Sequence, residues 1–289
     1  MPDATKRGAT GIQIAFLIFA VILLAAPAEK YFFGELQWVK ESGFPIGRAL
    51  IFLFGGSILL IFPWLRRLSF GLLATPIPST KTKELGLVIA LDLVIAFAAV
   101  GALVFWWWSV GGAAEVVRRM GPGMSAAEQW NRATSFNGIV TAFLLGGIVG
   151  PIIEELVFRG MLYPAWAARW GWIPSALATS FVFAMLHANA NGLSQFLASL
   201  VFICLYRRTG SLRASIVAHA VLNISIWYPF LGQFLFPRAG RETGELVHWA
   251  PHLVSLVVVL FAVPLYMWMS RDAKAALACA SPMAASPRS

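Results

Sequence analysis

The sequence predicts an all-α fold, a polytopic membrane bundle of about eight transmembrane helices, and three observations support this. Hydrophobic residues make up 59% of the 289 residues and charged residues only 12%, about half the charged fraction of a soluble domain. The apolar residues form runs that can cross a hydrocarbon core about 30 Å thick. Most basic residues lie in the short segments between these runs, a pattern that is typical of membrane topology and argues against a nucleic-acid partner.

The apolar runs define the predicted elements in chain order. In lipid, such a run satisfies its own backbone hydrogen bonds only as an α-helix. The first run follows Lys6 and Arg7, as the core of a signal peptide would, but the many further runs favour a retained helix. Trp106–Trp108 end the third run and are typical of an anchor at the membrane surface. The predicted spans are approximately Gly11–Ala28, Ala49–Leu65, Leu85–Val110, Gly138–Ala165, Ile173–Ala188, Leu193–Tyr206, Leu212–Phe236 and Pro251–Met269.

The distribution of Lys and Arg over the connecting segments predicts the orientation. With the N-terminus in the cytoplasm, 13 of these residues lie in inner segments and 8 in outer segments, which favours two cytoplasmic termini. We therefore expect a single transmembrane domain over residues 1–270, with a motif-bearing core at about residues 138–230. A disordered cytoplasmic tail is expected over residues 271–289, which are rich in Ala, Ser and Pro.

Charged side chains inside a span are costly and need a partner or a function. The fourth span contains Glu154, Glu155 and Arg159. On a helix that turns about 100° per residue, Glu155 and Arg159 lie within about 40° and can form an ion pair. Glu154 lies about 140° from Arg159, so it is predicted to be available for chemistry unless all three form a buried network. Asp92, in the third span, either pairs with another helix or lines the same cavity, and its role stays open.

Two further motifs place histidines inside spans. Phe183 and His187 share a face near the end of the fifth span, and His219 and Asn223 share a face of the seventh. On a rise of about 1.5 Å per residue, these groups and Glu154 arrive at broadly similar depths. A common interior cavity is the economical interpretation, although each polar group alone could be a structural contact between helices.

These residues resemble the motifs of the CPBP family of intramembrane proteases, which includes CAAX prenyl endopeptidases and bacterial enzymes tied to bacteriocin processing and immunity. The family pattern is Glu-Glu-x-x-x-Arg, then Phe-x-x-x-His, then His-x-x-x-Asn or Asp, and this chain matches all three in order. The resemblance implies an intramembrane endopeptidase. It also implies a role for each motif residue: activation of a water by Glu154 and His187, an oxyanion hole formed by His219 and Asn223, and support of the site by Glu155, Arg159 and Phe183.

Peptide hydrolysis needs an activated water and donors for the developing oxyanion, and the three motifs can supply both. The expected mechanism uses no cofactor and no metal ion. The alternative is a zinc enzyme in which Glu154, His187 and His219 are the ligands and the fourth position is open. A transporter, for which inverted repeats are expected, and a non-catalytic scaffold or immunity protein of the same fold are the other classes left open.

The expected substrate is a membrane-associated or lipidated protein or peptide, cut near its C-terminus. The sequence contains no feature that recognises a prenyl group specifically, so it does not choose among such substrates. The lipid bilayer is the expected surrounding, and a bacterial inner membrane is the expected location.

Overall fold

The computed structural model describes residues 56–57, 63–120, 143–187, 192–227 and 234–273. Within these ranges the chain is helical and contains no β-strand, which confirms the predicted all-α class. The first predicted span, most of the second, and residues 274–289 of the predicted tail lie outside the described residues. The total number of spans and the limits of the single domain therefore stay predictions.

The helices of the described ranges follow the predicted apolar runs. Short turns of 3-10 helix, Ser79–Lys81 and Leu246–Trp249, lead into the two longest apolar helices, and π-helical segments, Phe143–Val149 and Leu156–Leu162, flank a short α-helix. The described part of the predicted fourth span and the residues that follow it therefore form one continuous helical rod, from residue 143 to residue 170. In chain order the α-helices are α1 (Pro63–Ala74), α2 (Thr82–Met120), α3 (Gly150–Glu155), α4 (Tyr163–Trp170), α5 (Trp172–Leu186), α6 (Gly192–Thr209), α7 (Leu212–Trp227), α8 (Arg238–Thr243) and α9 (Ala250–Met269).

The core is centred on α6. Every residue from 198 to 207 is buried, whereas a helix at a protein surface buries only one face. Helices α2, α5, α7 and α9 pack around it. The shortest of the predicted spans is thus the central helix, and it contacts protein on all sides instead of lipid.

The outer face of α9 is apolar and exposed. Val254, Val257, Phe261, Leu265 and Trp268 are each 55–73% exposed, and their spacing places them on one side of the helix. A contiguous apolar stripe of this kind is expected against lipid. The helices Ser79–Met120 and Leu246–Met269 are long and apolar enough to cross a membrane, while α5 and most of α7 are apolar but shorter.

A charged network joins three helices at one end of the bundle. Arg208 of α6 pairs with Glu84 of α2 and donates to the carbonyl oxygen of Met269, at the end of α9, over 2.7 Å. The Tyr266 hydroxyl donates to Glu84 over 3.0 Å. The beginning of α2 and the ends of α6 and α9, which the Lys and Arg distribution predicts on one side of the membrane, therefore lie together.

Close packing of α2 against α9 depends on Gly101. A Cβ at this position would lie 2.5 Å from the carbonyl oxygen of His252, a separation that atoms in real structures do not show. The absence of a side chain lets the two backbones approach, as small residues do between membrane helices. This approach sets the position of α2 next to the buried core.

Candidate active site

The two adjacent glutamates lie where the helical repeat of the rod changes. Glu154 and Glu155 end α3, and the π-helical segments Phe143–Val149 and Leu156–Leu162 lie on either side of it. Segments with i→i+5 hydrogen bonds are rare and are frequent at functional sites. Pro151 lies in the first turn of α3 but inside the continuous rod, where its missing N–H removes one hydrogen bond of the helix. The local sequence thus positions both carboxylates at an irregular point of a buried helix.

Glu155 is the centre of a buried ion-pair cluster. Its Oε1 lies 2.9 Å from Nη1 of Arg159, and both side chains are 0% exposed. The same oxygen lies 2.9 Å from Nδ1 of His219. Arg159 also donates from Nη2 to the carbonyl oxygen of Ser199 over 3.3 Å. The cluster joins the rod 143–170 to α6 and α7, and it contains the ion pair that the spacing of Glu155 and Arg159 predicts.

Glu154 faces the histidines of both other motifs. Its Oε2 lies 3.6 Å from Nε2 of His219 and 4.0 Å from Nε2 of His187. These separations exceed a direct hydrogen bond and fit a bridging water molecule. The side chain of Glu154 is 19% exposed and that of His187 is 29% exposed. The two therefore form an accessible edge of the site, while Glu155 lies behind them.

Hydrogen bonds on the far side of each imidazole determine which nitrogen carries a proton. Nδ1 of His187 lies 2.8 Å from the carbonyl oxygen of Phe183. A carbonyl oxygen can only accept, so this Nδ1 carries the proton and the Nε2 of neutral His187 is an acceptor. His219 donates from Nδ1 to Glu155 in the same way. It can therefore donate from Nε2 only as the imidazolium ion.

Two phenylalanines contact the charged groups of the site. The Phe183 ring lies 4.5 Å from the His187 ring and 4.7 Å from the Arg159 guanidinium. Phe202 stacks on His219 at 5.0 Å and lies 5.3 Å from the same guanidinium. These contacts restrict the rotation of both imidazoles and give Arg159 cation–π partners. Phe183 thus lies where a supporting residue would have to be.

Asn223 lies one helical turn after His219 on α7. Its Nδ2 donates to the carbonyl oxygen of Gly146 over 2.9 Å, and Gly146 belongs to the π-helical segment Phe143–Val149. A side-chain amide has two N–H donors, so this contact uses one of them. In the structure the Glu154 carboxylate lies within 4.0 Å of the nearest nitrogens of His187 and His219. It places Asn223 beside them on α7, joined to the backbone of the same rod.

Three participants in the site carry no motif and were not predicted. Phe202 and Ser199 lie on α6, whose sequence contains no motif that indicates a contact with Arg159. Gly146 lies in a run of glycines that predicts only close helix packing. Asp92 was noticed in the sequence but had no assigned partner. In the structure it lies near enough to Glu155 and Arg159 to interact with both electrostatically.

The donor chemistry of the site is also relevant to the zinc alternative. One carboxylate and two imidazoles form a known zinc donor set. Among the described residues, no group of three or more His, Cys, Asp or Glu side chains is placed to hold a metal ion. The residue types allow zinc but their placement in the described part of the chain does not form a metal site, so a chelation experiment is needed to distinguish the zinc mechanism from the metal-free one.

Comparison with known proteins places the motifs in a family. Residues 136–225 match the family model described as "Type II CAAX prenyl endopeptidase Rce1-like". The chain is also 32% identical over 81 residues to a Bacillus subtilis (strain 168) protein named "Putative membrane peptidase YdiL". That alignment covers 28% of this chain and 33% of the relative, so the chain matches about a third of the relative's length. No solved structure matches the chain significantly.

The family-model match falls on the part of the chain that contains the three motifs. This match supports the resemblance drawn from Glu154, Glu155, Arg159, His187 and His219. Over residues 136–225, the chain is similar to type II CAAX prenyl endopeptidases.

Proposed function

We propose that this chain is an intramembrane endopeptidase that cuts membrane-associated or lipidated proteins or peptides near their C-termini. The observation that carries the proposal is the position of Glu154, whose Oε2 faces the Nε2 atoms of His219 at 3.6 Å and His187 at 4.0 Å. The neighbouring Glu155 is buried in an ion pair and is not available for the same task. The family match over residues 136–225 supports the same reaction class.

In the proposed mechanism the attacking water lies between Glu154 and His187. Both Oε2 of Glu154 and Nε2 of neutral His187 are acceptors, so a water between them directs one O–H to each. A lone pair of its oxygen is then free to attack the scissile carbonyl carbon. As the C–O bond forms, one water proton passes to Glu154, which acts as general base. The protonated carboxyl group later returns this proton to the leaving amine as the C–N bond breaks.

The developing oxyanion is stabilised by donors on α7. His219 as the imidazolium ion donates from Nε2, while its Nδ1 is held by the carboxylate of Glu155. The second N–H of the Asn223 amide is the other donor. Removal of one such donor commonly lowers kcat by about 100- to 1,000-fold. The mechanism proposed here needs no metal ion and no other cofactor.

The proposed location is a bacterial inner membrane, with both termini in the cytoplasm. The exposed apolar face of α9 supports contact with lipid. The charged network of Glu84, Arg208 and Met269 supports a common side for the ends of α2, α6 and α9. Reactivity of single engineered cysteines at this network towards a membrane-impermeant reagent, in spheroplasts and in inverted vesicles, tests which side it faces.

The function is tested by comparing C-terminal fragments of membrane proteins in cells that express the intact protein, Glu154→Gln or Glu115→Gln at equal levels. Glu115 is a matched control because it pairs with Arg118 over 2.5 Å and Arg119 over 3.0 Å outside the motifs. Fragments present with the intact protein and Glu115→Gln, and missing with Glu154→Gln, are expected. Identical fragment profiles in all three would refute the peptidase and favour a scaffold.

The metal-free mechanism is tested on the purified protein with a peptide identified in that comparison. Cleavage is expected to continue after treatment with a strong chelator and dialysis. Loss of cleavage that zinc alone restores would contradict this mechanism and make Glu154, His187 and His219 metal ligands.

A further inference from the structure

Asp92 lies on α2, outside the segment 136–225 that matches the family. It is 0% exposed, and Val88 and Ile95, one turn away on either side, are 0% and 1% exposed. Both belong to the same core cluster as Leu156 and Leu222. This face of α2 is therefore directed towards the helices that carry Glu155 and His219.

Unmatched hydrogen-bonding atoms occur together around Asp92. Neither of its carboxylate oxygens has a partner among the described residues, and the same holds for Oε2 of Glu155 and Nε of Arg159. Asp92 lies near enough to Glu155 and Arg159 for electrostatic interaction with both. In proteins about 90% or more of buried polar groups are hydrogen-bonded, either to protein or to ordered water. Acceptors on two helices and a donor between them are thus suited to bind a shared water.

We propose that Asp92 is a positioning residue of the hydrolytic site, joined to the Arg159–Glu155 pair through enclosed water. This inference rests on the proposed function. Asp92 supplies Arg159 with a second acidic neighbour from a different helix. Arg159 in turn holds Oε1 of Glu155 next to Nδ1 of His219. This contact orients the His219 ring so that its Nε2 faces Glu154. Asp92 itself touches neither substrate nor water of the reaction.

The effect of Asp92→Leu on stability and on catalysis distinguishes a positioning role of Asp92 from a role in packing alone. A buried carboxyl group without direct partners destabilises the fold, and an apolar side chain of similar size would not. If Asp92 only filled space, Asp92→Leu would be neutral for catalysis. If it positions the ion pair, Asp92→Leu should be as stable as the intact protein or more stable, yet less active.

The first experiment measures kcat, KM and thermal unfolding of Asp92→Leu and Asp92→Asn with the peptide from the fragment comparison. In metal sites, loss of a partner behind a ligand lowers affinity or activity by about 10- to 100-fold, and by analogy we expect a fall in kcat of about this size for Asp92→Leu with KM nearly unchanged. Asp92→Asn keeps polar atoms for the water and should recover most of the activity. Ser69→Ala, which removes another buried unpartnered oxygen on α1, is the control and should behave as the intact protein. An unchanged kcat in Asp92→Leu would overturn the inference.

A second experiment does not depend on peptidase activity. Unfolding temperatures are compared for Asp92→Leu, Arg159→Met and the double variant, because residues in one network give non-additive changes. A double variant that departs from the sum of the single changes supports the network even if no peptide is cleaved, in which case only the proposed function fails. Additive changes would overturn the link between Asp92 and Arg159 even if the protein is an active peptidase.

Discussion

Nδ1 of His219 lies 2.9 Å from Oε1 of Glu155, on the opposite side of the imidazole from the nitrogen that faces Glu154. In the proposed mechanism this contact gives the two adjacent glutamates different tasks. Glu155 is buried, paired with Arg159 and bound to the ring, so it restricts the orientation of His219. Glu154 is partly exposed and makes only longer contacts, so it can receive a proton from water.

Breaking the buried ion pair from one side should destabilise the protein strongly. Glu155→Leu removes the direct ionic partner of the buried Arg159, and such a change costs about 3–5 kcal/mol. The double variant Glu155→Leu, Arg159→Met should recover much of this stability because no lone buried charge remains. Thermal unfolding in one detergent checks both. The double variant should still be inactive, since His219 has lost its carboxylate, and a double variant no more stable than Glu155→Leu would contradict the pairing.

Asn223→Ala should separate an oxyanion donor from a structural clamp. Loss of a donor predicts a fall in kcat on the order of 100-fold with a nearly unchanged KM. Loss of the bond to Gly146 alone predicts a stability change of about 1 kcal/mol and little effect on kcat. Steady-state kinetics and thermal unfolding of the same preparation decide between them. Full activity in a mildly destabilised variant would leave His219 as the donor on α7.

Phe202→Leu tests a site contact that no motif predicts. The ring stacks on His219 at 5.0 Å, and a leucine keeps much of the apolar volume without this contact. We expect kcat to fall by roughly 10-fold, since a misplaced catalytic group can cost up to about 100-fold. Phe196→Leu is the matched control on the same helix. Phe196 packs against the core, and among the described residues its ring stacks on neither histidine. Equal kinetics for the two variants would argue against a role for the stacked ring.

Gly101→Ala tests the approach of α2 to α9. The added Cβ would meet the His252 carbonyl oxygen at 2.5 Å, so the helices must separate, and overpacking of this kind costs about 1–3 kcal/mol. Gly86→Ala on the same helix has no atom within 4 Å of the new Cβ and should stabilise the helix by about 0.5–1 kcal/mol. Unfolding temperatures should therefore move in opposite directions. A shift of the same sign in both variants would contradict the close contact.

The sequence by itself determined the features that depend on neighbouring residues. Apolar runs predict helices because an isolated backbone in lipid has no other way to satisfy its hydrogen bonds. The spacing of Glu155 and Arg159 predicts an ion pair because i and i+4 lie on one helix face, and the pair forms although the intervening turn is π-helical. The resemblance to the protease family is also visible in the sequence, because each of the three motifs consists of residues that are close together along the chain.

Only the tertiary structure decided which groups meet. Glu155 and His219 are 64 residues apart, and a rotation of either helix by one residue, about 100°, would separate them. The contact of Phe202 with His219 and the burial of Asp92 in the core depend on how α6 and α2 pack, which no local pattern encodes. The proposed division of tasks between two adjacent glutamates therefore depends on helix packing. The groups that other helices place around each carboxylate determine whether it is buried in an ion pair or accessible to water.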